Sequence, residues 1–266
     1  MDPVDVSRTP GRLRRVGLAI CVLVAVVVTA TLVWDHFHPV HRTDAEITGQ
    51  VLVSADGRTI TTAATWTGCE AKPRLLAHET EKSVELKLRR ESHATPGMVC
   101  DDQSAKQVTT TLKMPLTSKT LVDATTGHPI AFLGESDLVN PNYVPVGYAP
   151  SDIVLFGLVG QVPPPPYEKF ERPTWTRTYQ SVSSGEVLTI SQVLGDVVDS
   201  YGIPTTVNGY TAYLVEEPSP GGPSGRIVKW FDGSHTFVVL AYDKPGAVSR
   251  EEFMSIAEGI YRLNQG

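Results

Sequence analysis

Histidine and cysteine are the residue types in this chain best suited to chemistry, and their spacing comes first. Asp35, His36, His38 and His41 fall within seven positions, in the pattern H-x-H-x-x-H. Three imidazoles that close can bind zinc or copper. The spacing matches no helical face, however, and Pro39 forbids a regular helix there, so a solvated linker is favoured over a metal site. The other histidines, His78, His93, His128 and His235, stand near turns or strand edges in unrelated segments. The chain holds no G-x-S-x-G, no H-E-x-x-H and no G-x-x-x-x-G-K-[ST]. Serine and aspartate are abundant, so a triad assembled from distant residues stays open, but no motif points to one. Asp101-Asp102 could attract a cation; an exposed acidic turn is the simpler reading. The sequence implies no catalytic residue, no cofactor and no metal ligand.

Cys69 and Cys100, 31 positions apart, lack C-x-x-C spacing. Whether they act as a redox or metal pair or as a structural disulfide depends on the compartment. That turns on the N-terminus. Val16 to Trp34 is a run of 19 residues without a charge. As a helix at about 1.5 Å per residue it matches a bilayer core of roughly 30 Å. Arg8, Arg12, Arg14 and Arg15 precede it, so the positive-inside rule assigns residues 1–15 to the cytoplasm and residues 35–266 to the outside. A cleaved signal peptide competes, with Val28 and Ala30 as weak small-residue positions. The apolar run continues through Leu32, Val33 and Trp34, which favours a retained anchor. Acylation of Cys21 would follow only five apolar residues, with Ile20 a poor neighbour. Outside the cell, a Cys69–Cys100 disulfide becomes the expectation. It would close a loop worth about 3–4 kcal/mol in the chain-entropy model and staple the loops around a strand pair at residues 74–91.

The net charge of -6 is uneven: residues 1–15 carry +2, and the part after residue 34 carries -8. An acidic exported part lacks the basic footprint that nucleic acid requires. β-branched and aromatic residues are plentiful after residue 46, which favours β structure.

The elements that position these residues read as two β-rich units, 46–138 and 139–266, after a linker at 35–45. In the first, Asp56-Gly57 joins two strands. Val84, Leu86 and Leu88 alternate with Glu85, Lys87 and Arg89, giving one buried and one wet face. VTTTLKM (with Val108, Leu112 and Met114), KTLVDA and HPIAFL read as further strands. LGESDLVNPN, residues 133–142, looks like a boundary. In the second unit, a proline-flanked apolar run leads to four consecutive prolines, 163–166, a stiff polyproline II loop on which Tyr167 could pack. TWTRTYQS, GEVLTISQVL, GYTAYLVEE, GRIVKWF and HTFVVLAYD are strands, with turns at Asn208-Gly209 and Asp232-Gly233. Ser249 and Glu252 form a capping box. Phe253, Ile256, Ala257, Ile260 and Tyr261 then form one apolar helical stripe that covers a sheet face. The fold class is α+β and mainly antiparallel β: a transmembrane helix, a small disulfide-stapled β domain, then a curved antiparallel sheet with a C-terminal helix.

Two resemblances follow from these residues. Residues 46–133, with Cys69, Cys100, Pro115, Leu116, Asp123 and Gly127, resemble small exported modules of actinobacterial membrane proteins and lipoproteins. These carry a Pro-Leu-Gly-x-Arg turn followed by Val-Asp-x-x-x-Gly; Thr117 stands here for the Gly and Lys119 for the Arg. Residues 140–266, with Pro145, Gly147, Tyr148, Tyr179, Gln180, Trp230, Gly233, Ser249, Glu251, Glu252, Ala257 and Glu258, resemble Gram-positive extracytoplasmic domains found in anti-sigma-like regulators. That likeness implies a curved sheet like those of lipoprotein carriers and sigma-regulator sensors, but only about 15 residues would lie inside the cell, too few for an anti-sigma domain. The expectation is a non-catalytic, membrane-anchored extracytoplasmic binding or sensor module. It would engage a lipid or an envelope protein and hold the membrane through residues 16–34. An envelope hydrolase is one alternative. An accessory subunit contacting its complex through Gly17, Ala19, Ala25 and Ala30 is another.

Overall fold

The computed structural model describes residues 40–95, 97–153, 172–217, 224–243 and 248–260. The expected tail (1–15), anchor (16–34), His36, His38, the proline run 163–166, Tyr167 and Tyr261 lie outside them. The described chain is mostly antiparallel β, with one C-terminal α-helix.

The first unit contains β1 (His41–Ala45), β2 (Val51–Val53), β3 (Thr59–Thr67), β4 (Arg74–Glu79), β5 (Ser83–Ser92), β6 (Gln103–Thr111), β7 (Thr120–Asp123) and β8 (Leu133–Gly134). β5 pairs antiparallel with β4 on one side. On the other side β1 pairs antiparallel with Leu88–Ser92, and β7 pairs parallel with Ser83–Leu86. The second sheet runs β6-β3-β2-β8. The period-two pattern of β5 explains their packing: Val84 and Leu86 are fully buried and Leu88 nearly so. They join Val51, Ile60, Leu75, Val108 and Leu121 in one core drawn from both sheets. Burying each such side chain stabilises by about 1.5–3 kcal/mol.

Several expectations shift here. Residues 41–45, read as the end of a linker, form β1, because Asp44 accepts hydrogen bonds from Arg89 (2.5 Å) and Lys87 (2.6 Å) and the backbone completes a ladder. β6 stops at Thr111. The backbone N–H groups of Lys113 and Met114 turn to the Glu79 carboxylate at 2.7 and 3.3 Å, which leaves Met114 exposed rather than in the core. HPIAFL contributes only β8 and a bridge between Val122 and Pro129. Its apolar Ile130 and Phe132 pack against the core without forming a ladder.

The second unit is one seven-stranded antiparallel sheet in the order β12-β13-β14-β15-β11-β10-β9. Its strands are β9 (Tyr148–Ser151), β10 (Thr174–Ser181), β11 (Val187–Leu194), β12 (Ile203–Val207), β13 (Tyr210–Glu217), β14 (Ser224–Phe231) and β15 (His235–Asp243). The edge strands β9 and β12 carry little apolar alternation and were not anticipated. Asn208 (φ 50°) and Gly209 (φ 83°) make the tight turn between β12 and β13, as an Asn-Gly pair favours when both central residues need positive φ. The helix α1 (Arg250–Glu258) is capped by the Ser249 hydroxyl, which accepts the Glu252 N–H at 3.1 Å. The Glu252 carboxylate is engaged by the Tyr143 hydroxyl at 3.0 Å. Phe253, Ile256, Ala257 and Ile260 are buried against Trp230, Phe237, Val239 and Leu214. At the other end of α1, the Asn208 amide donates to the carbonyls of Glu258 and Ile260, both at 3.1 Å. The turn thus satisfies carbonyls that a helix end otherwise leaves open.

Candidate functional site

The cysteines meet. Cys69 follows the last paired residue of β3 and Cys100 precedes the first of β6, where Thr67 faces Gln103. Antiparallel pairing therefore brings the two to a Cα–Cα distance of 5.3 Å, and they form a disulfide. The chain between them makes the β4–β5 hairpin. The Glu70 carboxylate beside Cys69 takes a two-pronged contact from Arg90 at 2.9 and 2.7 Å, which holds it below its ordinary pKa.

The described histidines do not converge. His41 is exposed on β1. His78 lies 3.3 Å across the strand pair from Glu85, in solvent. His93 and His128 occupy separate turns, with the His93 N–H donating to the Cys69 carbonyl at 2.8 Å. His235 comes nearest to a catalytic geometry: its Nδ1 is 2.9 Å from the Ser234 hydroxyl. Asp232 is beside them, and its carboxylate accepts the backbone N–H groups of Ser234 and His235 at 2.8 and 2.7 Å. Neighbouring residues in one turn hold that serine, and His235 is only 5% exposed. Among the described residues no three His, Cys, Asp or Glu side chains are grouped so as to hold a metal ion. Asp101 and Asp102 are exposed. No helix among the described residues is long and apolar enough to cross a membrane.

Polar chemistry concentrates where the two units touch. β10 and β11 carry Thr174, Thr176, Thr178, Thr189 and Ser191 on the face away from α1, all buried. The Gln50 amide donates to the Thr176 hydroxyl at 2.9 Å, which lies 2.8 Å from that of Ser191. Thr62 donates to the Gln50 carbonyl at 2.9 Å and continues the chain into β3. A second contact grips the expected boundary. The Gln192 amide accepts the Val139 N–H at 3.0 Å and donates to the Asp137 carbonyl at 2.8 Å. Arg177 donates to the Val139 carbonyl, and burial lowers its pKa. A third lies at β6, where Lys106 reaches Asp152 at 3.3 Å and bridges Ile153. Gln50, Gln192 and Arg177 were not singled out from sequence. The alternating threonines of β10 and β11 were the available signal, but such a pattern reads equally well as a wet face.

The α1-covered face is filled: Trp230, Phe253 and Ile256 are at most 1% exposed. Large apolar exposure instead gathers on residues 194–203, with Leu194 at 44%, Val197 at 38%, Tyr201 at 57% and Ile203 at 52%. This segment leads into the open edge strand β12. It is fastened to the sheet by Thr236, whose hydroxyl donates to the Gly195 carbonyl and accepts the Val197 N–H at 2.8 and 3.0 Å. Asp199 binds the buried Lys229, over which the Tyr201 ring lies at 5.9 Å. Burial pushes the Asp199 carboxyl up, but Lys229 and the Tyr201 N–H more than offset it, and the group sits below its ordinary value.

No family model matches the chain, and no curated protein or solved structure matches it either.

Proposed function

We propose that the chain is a membrane-anchored extracytoplasmic binding or sensor module that works without catalysis and engages an envelope protein. The uncharged run 16–34 would hold it in the membrane, and the exported part would resemble the sheet domains of anti-sigma-like regulators. The observation that carries the reading is a contrast. Among the described residues the reactive side chains are scattered or buried, while exposed apolar side chains gather on residues 194–203 beside an edge strand. The disulfide supports an oxidising compartment. The filled face under α1 favours a protein partner over an enclosed lipid.

A photo-crosslinking amino acid at Tyr201 of the full chain, in its own membrane, tests this. The expected result is a discrete adduct with an envelope protein, weakened by Val197→Asp or Ile203→Asp. No adduct from Tyr201 under those conditions would overturn the assignment of the surface.

A further inference from the structure

We propose that the segment 97–102, through Met98 and Val99, is a second contact with the bilayer, seating the exported part on the lipid surface. This rests on the reading of residues 16–34 as a retained anchor.

Position in the fold motivates it. β1 enters the first unit at His41, which pairs with Ser92 at the C-terminal end of β5. On the other side of Ser92 stands Glu70, in a β-bridge. Cys69, next to Glu70, accepts the His93 N–H and is bonded to Cys100. The point where the chain arrives from its N-terminal part and the segment 97–102 therefore share one end of the same sheet. Seven steps separate Trp34 from His41, so His41 stands at most about 25 Å from the end of the apolar run.

The loop's chemistry fits a headgroup boundary. Val99 is 73% exposed and Met98 54%, while Val40 at the chain's arrival is 41% exposed. The disulfide and the Met98 N–H, which donates to the Thr95 carbonyl at 3.0 Å, fix the tip before any contact is made. The charges around it are mixed. Arg42 and Arg74 both reach Glu91 at 3.2 Å, and Asp101 and Asp102, which follow Cys100, are exposed. Attraction to anionic lipid is therefore not the source of binding; apolar insertion is. Two side chains would not hold a free protein on a membrane. On a tethered one the contact is intramolecular, and the tether keeps the loop in the millimolar range against the lipid.

The test places a photo-crosslinking amino acid at Val99, at Met98 or at Val146, which is fully exposed in the other unit. Each full-length chain is reconstituted into phosphatidylcholine vesicles carrying labelled lipid, with carbonate extraction in parallel and the disulfide verified by mass. The expected result is a carbonate-resistant chain whose lipid adduct at 98 or 99 exceeds that at 146 by at least about fivefold, unchanged by high salt. Equal adducts in a carbonate-resistant chain overturn the loop contact and leave the anchor standing. Release of the chain by carbonate overturns the anchor, and this contact with it.

Discussion

Thr117 is the position where a single substitution is expected to stabilise the protein. It sits at φ 40° in a turn closed by the Lys119 N–H on the Leu116 carbonyl at 2.8 Å. For a β-branched residue this backbone is an outlier, with a cost of about 1–2 kcal/mol relative to an allowed conformation. Glycine removes the clash but gives back part of the gain, roughly 0.5–1 kcal/mol, through the freedom it has when unfolded. The Thr117 side chain is exposed. Thr117→Gly is therefore expected to stabilise by about 0.5–1 kcal/mol, or a rise of about 1–4 °C in Tm. Thr117→Ala keeps the positive φ and should change little. Leu116, 2% exposed, and the Lys119–Glu79 ion pair at 3.6 Å fix the turn on both sides, so the backbone has no easy way to relax. Urea denaturation of the purified full chain, followed by tryptophan fluorescence, measures the difference. A neutral or destabilising Thr117→Gly, with an unchanged denaturant slope, would refute the claim that the turn is strained.

Three further perturbations separate the forces described above. Gln192→Leu strips partners from the Val139 N–H and the Asp137 carbonyl and should cost about 2–4 kcal/mol, since each group left unpaired costs about 1–3; a loss below about 1 kcal/mol in urea denaturation would mean the boundary is not clamped there. Replacing Cys69 and Cys100 together by Ser should cost about 3–4 kcal/mol, and reduction of the native chain should reproduce that loss; a difference between the two would implicate the serines themselves. The Asp44 carboxyl is lowered from 3.8 to about 2 by its hydrogen bonds to Arg89 and Lys87. Its folded pKa lies below the unfolded one, so its support for β1 is complete above about pH 4 and is lost as pH falls through about 2. A carboxyl-carbon NMR titration with a midpoint near 4 would contradict that pairing.

Sequence patterning revealed the elements whose burial is one-sided. β5 and α1 alternate or repeat at the periods of their structures, and the Asn208-Gly209 turn and the Ser249 cap act through local chemistry alone. The motif around Asp123 was visible as a pattern but not as a mechanism. The carboxylate accepts the N–H groups of Ile47, Thr125 and Thr126 at 2.6, 2.7 and 2.9 Å, and Gly127 takes φ 75°. Asp closes the turn onto the start of the unit, and Gly four residues later supplies the backbone that closure needs. What stayed hidden depends on the partner rather than on the segment. β1 has no buried side chain and exists because β5 offers it a ladder and two cations. On β10, Thr176 finds its partner in Gln50, 126 residues away.

β1 also decides how the molecule responds to being pulled. If the anchor holds one end and a partner holds the other, tension enters at His41 and runs along the strand toward Ala45. Where that pull runs along the strand axis, the antiparallel ladder with Leu88–Ser92 lies across it. The ladder bonds and the Asp44 and Arg42 ion pairs are then loaded together in shear instead of being peeled off one at a time. With such an anchor, the least buried strand of the first unit would be a mechanical coupling, able to pass force into the folded sheets before it yields.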